Sequence, residues 1–244
     1  IADSSKAQIM LFADDTNVIL FGNDISELII DSENILQKLY VWLCCNKLTL
    51  NVAKTNFCIF HRNRKKLPFD CDKIKFGGEY IQRVSNVRYL GMMIDDKLEW
   101  KCHFENLYNN LVKLSSTFKF IKNYVPHKCK KQLHYAYIYS RITYGVEIYG
   151  IADKHLLNKL QRLQNRILKI LYNKDWFTPT NALHKRLVIL KVDDVVKLFV
   201  IKFVRQCKNG EIPDALKGYY VKRNVIHDLN TRNKDKYEIS CTNL

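Results

Sequence analysis

Two adjacent aspartates, Asp14 and Asp15, stand between two short apolar runs, Ile9-Met10-Leu11-Phe12-Ala13 before them and Val18-Ile19-Leu20-Phe21 after Thr16-Asn17. The pattern reads as a β-hairpin whose apolar strands are buried and whose turn offers two carboxylates to solvent. Like charges side by side repel, and a divalent cation relieves that repulsion. Hard oxygen ligands suit Mg²⁺. Two such ions, holding the attacking and leaving oxygens in line, are the apparatus of nucleotidyl transfer. Asp-Asp is also at home in a plain surface turn, so the weight falls on what surrounds the pair.

The elements that must position it follow from periodicity. Asp24 to Leu43 reads as a helix, with Asp24 as its cap and Glu27 three residues on. Ile25, Leu28, Ile29, Leu36, Leu39, Tyr40 and Leu43 give it one apolar face, expected to pack on a sheet. Asn56 to His61 reads as a strand and Arg62 to Lys66 as a basic turn. Lys73 to Phe76, Gly77-Gly78 and Glu79 to Ile81 form a hairpin, and Val84 to Ile94 is a further extended stretch. From Trp100 the period becomes helical. Helices are expected over 101–124, 127–142, 153–173, 179–189 and 191–208, with Pro126 breaking the first from the second. In the third, Leu156, Leu160, Leu163, Ile167, Ile170 and Leu171 form an apolar stripe. Lys159, Arg162, Arg166 and Lys169 run beside it, and no acid occurs between 154 and 174. Like charges at three- and four-residue steps destabilise a lone helix. A phosphate backbone would relieve them; a solvated face is the other reading.

The order of these features carries a resemblance. Phe12-Ala13-Asp14-Asp15 resembles the FADD box of reverse transcriptases from non-LTR (LINE-type) retrotransposons. Trp42-Leu43, Asn46-Lys47-Leu48, Leu50-Asn51 and Lys54-Thr55 resemble the next motif of that family, which ends in Lys-Thr before a strand. Val87-Arg88-Tyr89-Leu90-Gly91, Asp95, Leu98-Glu99-Trp100 and His103 resemble its primer-grip hairpin and the start of its thumb. Tyr144-Gly145 and Leu160-Gln161 to Leu163-Gln164-Asn165-Arg166 resemble the thumb helices, and His227 with Asn230-Thr231-Arg232 the closing segment.

The resemblance implies an α+β fold, a partial polymerase palm followed by an all-α thumb. The expected division is 1–100 for the C-terminal half of the palm, 101–208 for the thumb and 209–244 for a polar tail. It implies RNA-directed DNA polymerase chemistry with two Mg²⁺ ions, transferring a nucleotide from dNTP to a primer on an RNA template. Asp14 and Asp15 would be metal ligands, Asp14 the stronger. Lys54 would lie near the leaving pyrophosphate, where a cation stabilises developing charge. Tyr89, Leu90 and Gly91 would grip the primer, and Lys159, Arg162, Arg166 and Lys169 would follow an RNA–DNA duplex. In that family fingers and the first palm half, with a third aspartate, precede the FADD box. The chain from Ile1 therefore resembles a C-terminal portion, expected to bind metal weakly and to be inactive alone. The alternatives are a non-catalytic basic nucleic-acid-binding module and a remnant of a dead element.

Composition agrees with a polyanion partner. The 244 residues carry a net charge of +16 and are 47% apolar, normal for a globular chain. The charge is uneven: residues 1–50 hold three basic and seven acidic side chains, so the excess lies entirely in the remainder. None of the eight cysteines forms a Cys-x-x-Cys pair, and no run approaches the ~20 apolar residues of a membrane span. Reduced thiols in an intracellular protein are the expectation. A zinc site from Cys207, His227 and Cys241 is conceivable, but the spacing does not favour it. Oligomeric state is not written in the sequence.

Overall fold

The computed structural model describes residues 7–61, 72–211, 220–222 and 237–239. The Arg62–Lys66 turn and the His227 to Arg232 segment lie outside the described residues. The fold is mixed helix and strand, with small sheets and mostly helix, and its α+β character matches the expectation. The chain forms two compact units, Ile1–Leu98 and Glu99–Leu244. No helix among the described residues is long and apolar enough to cross a membrane.

In the first unit β1 (Ala7–Phe12) and β2 (Asp15–Leu20) form an antiparallel hairpin in which Phe12 pairs with Asp15. α1 (Ile25–Cys45) follows, capped by Asp24, whose carboxylate accepts from the Ser26 and Glu27 amides at 2.7 and 3.1 Å. A three-stranded sheet has the order β3 (Asn56–Phe57), β5 (Glu79–Arg83), β4 (Lys73–Phe76). β3 runs parallel to β5, and β4 antiparallel. Leu36 of α1 packs with Ile74, Phe76 and Ile81 of the sheet to make the core of this unit, with Ile29, Leu39, Tyr40 and Leu43 around it. Gly77 turns β4 into β5 with φ +61°, and a Cβ there would lie 2.2 Å from the Tyr40 ring. Glycine is required there both by the backbone and by the close approach. β6 (Asn86–Tyr89) and β7 (Met92–Asp95) form a third antiparallel hairpin.

One expectation is corrected. The arms of the β1–β2 hairpin are not buried: Leu11 is 73% and Phe12 62% exposed. Among the described residues the two strands pair only with each other. A two-stranded ribbon has no second layer to cover its apolar side chains. The expected strand Asn56–His61 is also shorter, reaching only Phe57.

The second unit is helical. α2 (Lys101–Ile121) packs along α6 (Lys154–Leu171), and α8 (Val192–Lys208) packs on α6 and on the short α5 (Val146–Tyr149). Between them the chain is helical from His127 to Thr143, as expected over 127–142, as α3 (His127–Leu133), a π-helical turn (His134–Tyr139) and α4 (Ser140–Thr143), the π turn being the feature not anticipated. α7 (Thr180–Leu187) precedes α8. The buried face of α6 is wider than the expected stripe and includes Leu157, Gln164 and Leu168, because helices flank it on two sides.

Gln164 belongs to a polar network at the α6–α7–α8 junction, oriented by backbone groups. The Val192 amide donates to Gln161 Oε1 at 2.7 Å, which turns Gln161 Nε2 toward Asn165 Oδ1 at 2.8 Å and Gln164 Oε1 at 3.0 Å. Gln164 Nε2 in turn donates to the Leu190 carbonyl at 3.1 Å. His184 sits with Nδ1 2.9 Å from the Ile189 carbonyl and Nε2 2.8 Å from Asn165 Oδ1. A neutral His184 that donates Nδ1–H to the Ile189 carbonyl leaves Nε2 as an acceptor, which Gln161 Nε2 approaches at 3.5 Å, and the backbone anchors at residues 189–192 tie the three helices together.

His134 is different. It is buried, and neither ring nitrogen has a hydrogen-bond partner. Burial, with a smaller contribution from His184, lowers its pKa to about 4. The unfolded chain, near 6.5, then binds the proton first as pH falls. Stability is full above about pH 6.5 and declines toward pH 4, by about 3 kcal/mol. Burial lowers His103 and His184 as well, and both act in the same direction. Chemical denaturation of wild type and His134→Leu at a series of pH values measures this. The variant should lose roughly 3 kcal/mol less than wild type over that range; parallel curves would show that His134 does not titrate this way.

Candidate metal-binding hairpin and nucleic-acid surface

The aspartates are placed by the loop that joins β1 and β2. It has two residues, Ala13 and Asp14, with Ala13 at φ 51°. A positive φ at the first central position matches the type II′ turn, whose twist suits a hairpin and whose usual occupant is glycine. Asp14 therefore sits at the tip and Asp15 at the first pair of β2, both exposed. Two adjacent carboxylates can supply the protein share of a Mg²⁺ site, since that ion takes one or two carboxylates and completes its shell from phosphates and water. Among the described residues no group of three or more His, Cys, Asp or Glu side chains converges on one point. The donor set thus fits a site that phosphate oxygens and other ligands must complete.

Lys54 ends a short 3₁₀ turn (Val52–Lys54) that leads into β3 and is exposed. Its turn is closed by Thr55, whose hydroxyl donates to the Asn51 carbonyl at 2.9 Å. The strand Lys54 leads into belongs to a different sheet from the β1–β2 hairpin. The β6–β7 hairpin turns at Leu90 (φ 44°) and Gly91 (φ 82°). Two positive φ values in succession define a type I′ turn, which leucine adopts at a cost and glycine freely. Tyr89, just before it, donates its hydroxyl to Met10 Sδ of β1 at 3.8 Å. This contact brings the expected primer-grip hairpin against the hairpin that carries Asp14 and Asp15.

In the helical unit Arg162 and Arg166 are exposed on α6. Lys159, also exposed, lies 4.7 Å from the centre of the Tyr108 ring. Lys169 is half-buried: its ammonium donates to the Trp176 carbonyl and lies 5.4 Å from the centre of that ring. Sequence reasoning placed Lys169 with the other three cations and missed this clamp, since a contact to a carbonyl seven residues on leaves no periodic trace. It missed the buried Gln164 and its half-buried partner Gln161 for a related reason. A lone glutamine near an apolar stripe reads as solvent-facing until its backbone partners are in place. Of the other basic residues nearby, Lys128 is exposed and Lys130 buried. Burial pushes the Cys58 thiol up to about 11, so it stays protonated.

The first unit thus carries an exposed pair of acids on a hairpin, and the second an exposed row of cations on α6. The chain is homologous to the RNA-directed DNA polymerases of non-LTR mobile elements. It is 24% identical over 207 residues to the RNA-directed DNA polymerase from mobile element jockey of Drosophila melanogaster, covering 84% of this chain and 22% of the relative. Against the probable RNA-directed DNA polymerase from transposon BS of the same fly it is 24% identical over 199 residues, 80% of this chain and 22% of the relative. Against that from transposon X-element the identity is 21% over 198 residues, 78% of this chain and 21% of the relative. The chain thus spans about a fifth of the length of the curated relatives it matches. No profile of a known protein family matches it, and no solved structure does.

Proposed function

We propose that the chain forms the C-terminal part of an RNA-directed DNA polymerase. The first unit would be the end of the palm, with the catalytic hairpin, and the second the thumb that holds primer and template. The observation that carries this is the exposed Asp14-Asp15 pair on a tight hairpin loop, in a chain homologous to such polymerases over most of its length. Asp14 and Asp15 would hold Mg²⁺, which when bound stabilises charge on the transferring phosphoryl group. The β6–β7 turn, with Gly91 allowing close backbone approach, would lie along the primer. Lys54 would face the leaving pyrophosphate. Arg162 and Arg166, with Lys159, would neutralise duplex phosphates as delocalised or point cations. The exposed apolar arms of β1 and β2 would be covered by the rest of the palm, which would also supply the remaining metal ligand. The partners of such an enzyme are an RNA template, a DNA primer and dNTP, inside the cell.

A second reading, a basic nucleic-acid-binding module without catalysis, is favoured by the absence of a third converging ligand among the described residues. One experiment separates them: dNTP incorporation on a primed RNA by a polymerase that contains this chain as its C-terminal portion. Incorporation that needs a divalent cation and is lost in Asp14→Ala supports catalysis. Incorporation indifferent to that change leaves only the binding module.

A further inference from the structure

The end of the helical unit where α2 and α6 terminate is lined with bare aromatic rings. α2 and α6 run in the same direction: Tyr108 lies against Lys159 near their starts, and Asn173 Nδ2 donates to Asn123 Oδ1 at 3.0 Å beyond their ends. The His127 and Tyr172 rings, 5.2 Å apart, hold the same end together. Within about one helical turn of that tie, Phe120 is 78% and Tyr124 86% exposed on one side, and Trp176 69% and Phe177 93% exposed on the other. Aromatic rings are costly to leave in water and clusters of them mark binding surfaces. The Trp176 loop is fixed from beneath by the Lys169 clamp and by the Lys174 amide, which donates to the Lys169 carbonyl at 2.8 Å.

The surroundings decide the occupant. Over residues 101–208 the chain carries twenty-one Lys or Arg against six acids, and Lys119, Lys122 and Lys174 stand within two residues of Phe120, Tyr124 and Trp176. Rigid exposed rings among cations are what unpaired bases with their phosphates require: each ring stacks a base face, and the lysines follow the backbone. A paired duplex hides its base faces and has no use for the rings. We infer that this end of the helical unit binds a single strand of nucleic acid by stacking bases on Phe120, Tyr124, Trp176 and Phe177. The site is separate from the duplex track on Arg162 and Arg166, and its identification rests on the reading that the basic unit handles nucleic acid.

The test uses the whole chain with three labelled probes: an oligothymidylate of about fifteen nucleotides, within the span of known single-strand sites, an abasic strand of equal length, and a blunt RNA–DNA duplex. Two double variants are compared, Trp176→Ala with Phe177→Ala, and Phe120→Ala with Tyr124→Ala, with circular dichroism confirming the fold. Each should weaken oligothymidylate binding by about tenfold or more and leave the abasic strand and the duplex unchanged. Unchanged oligothymidylate binding, or equal loss on all three probes, would overturn the inference. Duplex binding that persists in these variants and falls in the α6 arginine variants keeps the two sites distinguishable, and a chain that binds no probe sinks both.

Discussion

Asp14→Asn and Asp15→Asn, each made in a polymerase containing this chain, should cut nucleotide incorporation by about a hundredfold or more while leaving template affinity nearly unchanged. Losing a carboxylate ligand forfeits transition-state charge stabilisation of several kcal/mol, and about 1.4 kcal/mol is a factor of ten in rate. Asparagine keeps the size and turn preference of aspartate, so the two-residue loop should persist and the loss be chemical rather than conformational. Ala13→Gly is the control. It relieves a positive-φ backbone at a non-glycine residue, so it should preserve the hairpin turn without touching a carboxylate. Single-turnover incorporation with saturating primed template measures all three. Asp14→Asn and Asp15→Asn at near wild-type rate would remove the hairpin from the chemistry.

Replacing Lys159, Arg162, Arg166 and Lys169 together by Gln should weaken duplex binding and flatten the dependence of log affinity on log salt. Each lost phosphate contact is worth ~0.9 of slope, so four contacts would account for up to ~4 units. The structure divides the four. Arg162 and Arg166 are exposed on one face of α6, so Arg162→Gln with Arg166→Gln should recover at least half of the change. Lys169 is engaged at the Trp176 carbonyl, so Lys169→Gln alone should alter the slope little and loosen the 174–178 loop instead. Gln is a good helix former and the buried face of α6 is untouched, so helicity should hold. A slope identical to wild type in the folded quadruple variant would make this face merely solvated.

What the sequence disclosed was what is local. Asp24 and Glu27 marked the start of α1, Gly77-Gly78 the β4–β5 turn, and Pro126 the gap between α2 and α3, because caps, turns and breaks are decided by the residues that form them. The Phe12 to Asp15 hairpin was legible for the same reason. What stayed hidden was tertiary. Nothing in the run Ile9 to Ala13 says whether a second layer will cover it, so the exposure of Leu11 and Phe12 could not be read. The π turn at His134 to Tyr139 is a single turn of i→i+5 bonding inside an otherwise α-helical run, too short to leave a period of its own in the sequence. Gln161, Gln164 and His184 become a network only when the backbone of residues 189–192 is brought to them. The candidate site divides likewise: the acids were found by pattern, whereas the approach of Tyr89 to Met10 needed the fold.

The claim that the β1–β2 loop takes a divalent cation is tested most directly by titrating Mn²⁺ into the ¹⁵N-labelled chain bound to an RNA–DNA primer duplex. Paramagnetic broadening reports the ion even where binding is weak. The amides of Ala13 to Thr16 should broaden first, and Asp14→Asn with Asp15→Asn should abolish that preference. Broadening that begins elsewhere in the chain, or that is the same in the double variant, would contradict the assignment of Asp14 and Asp15 as the metal ligands.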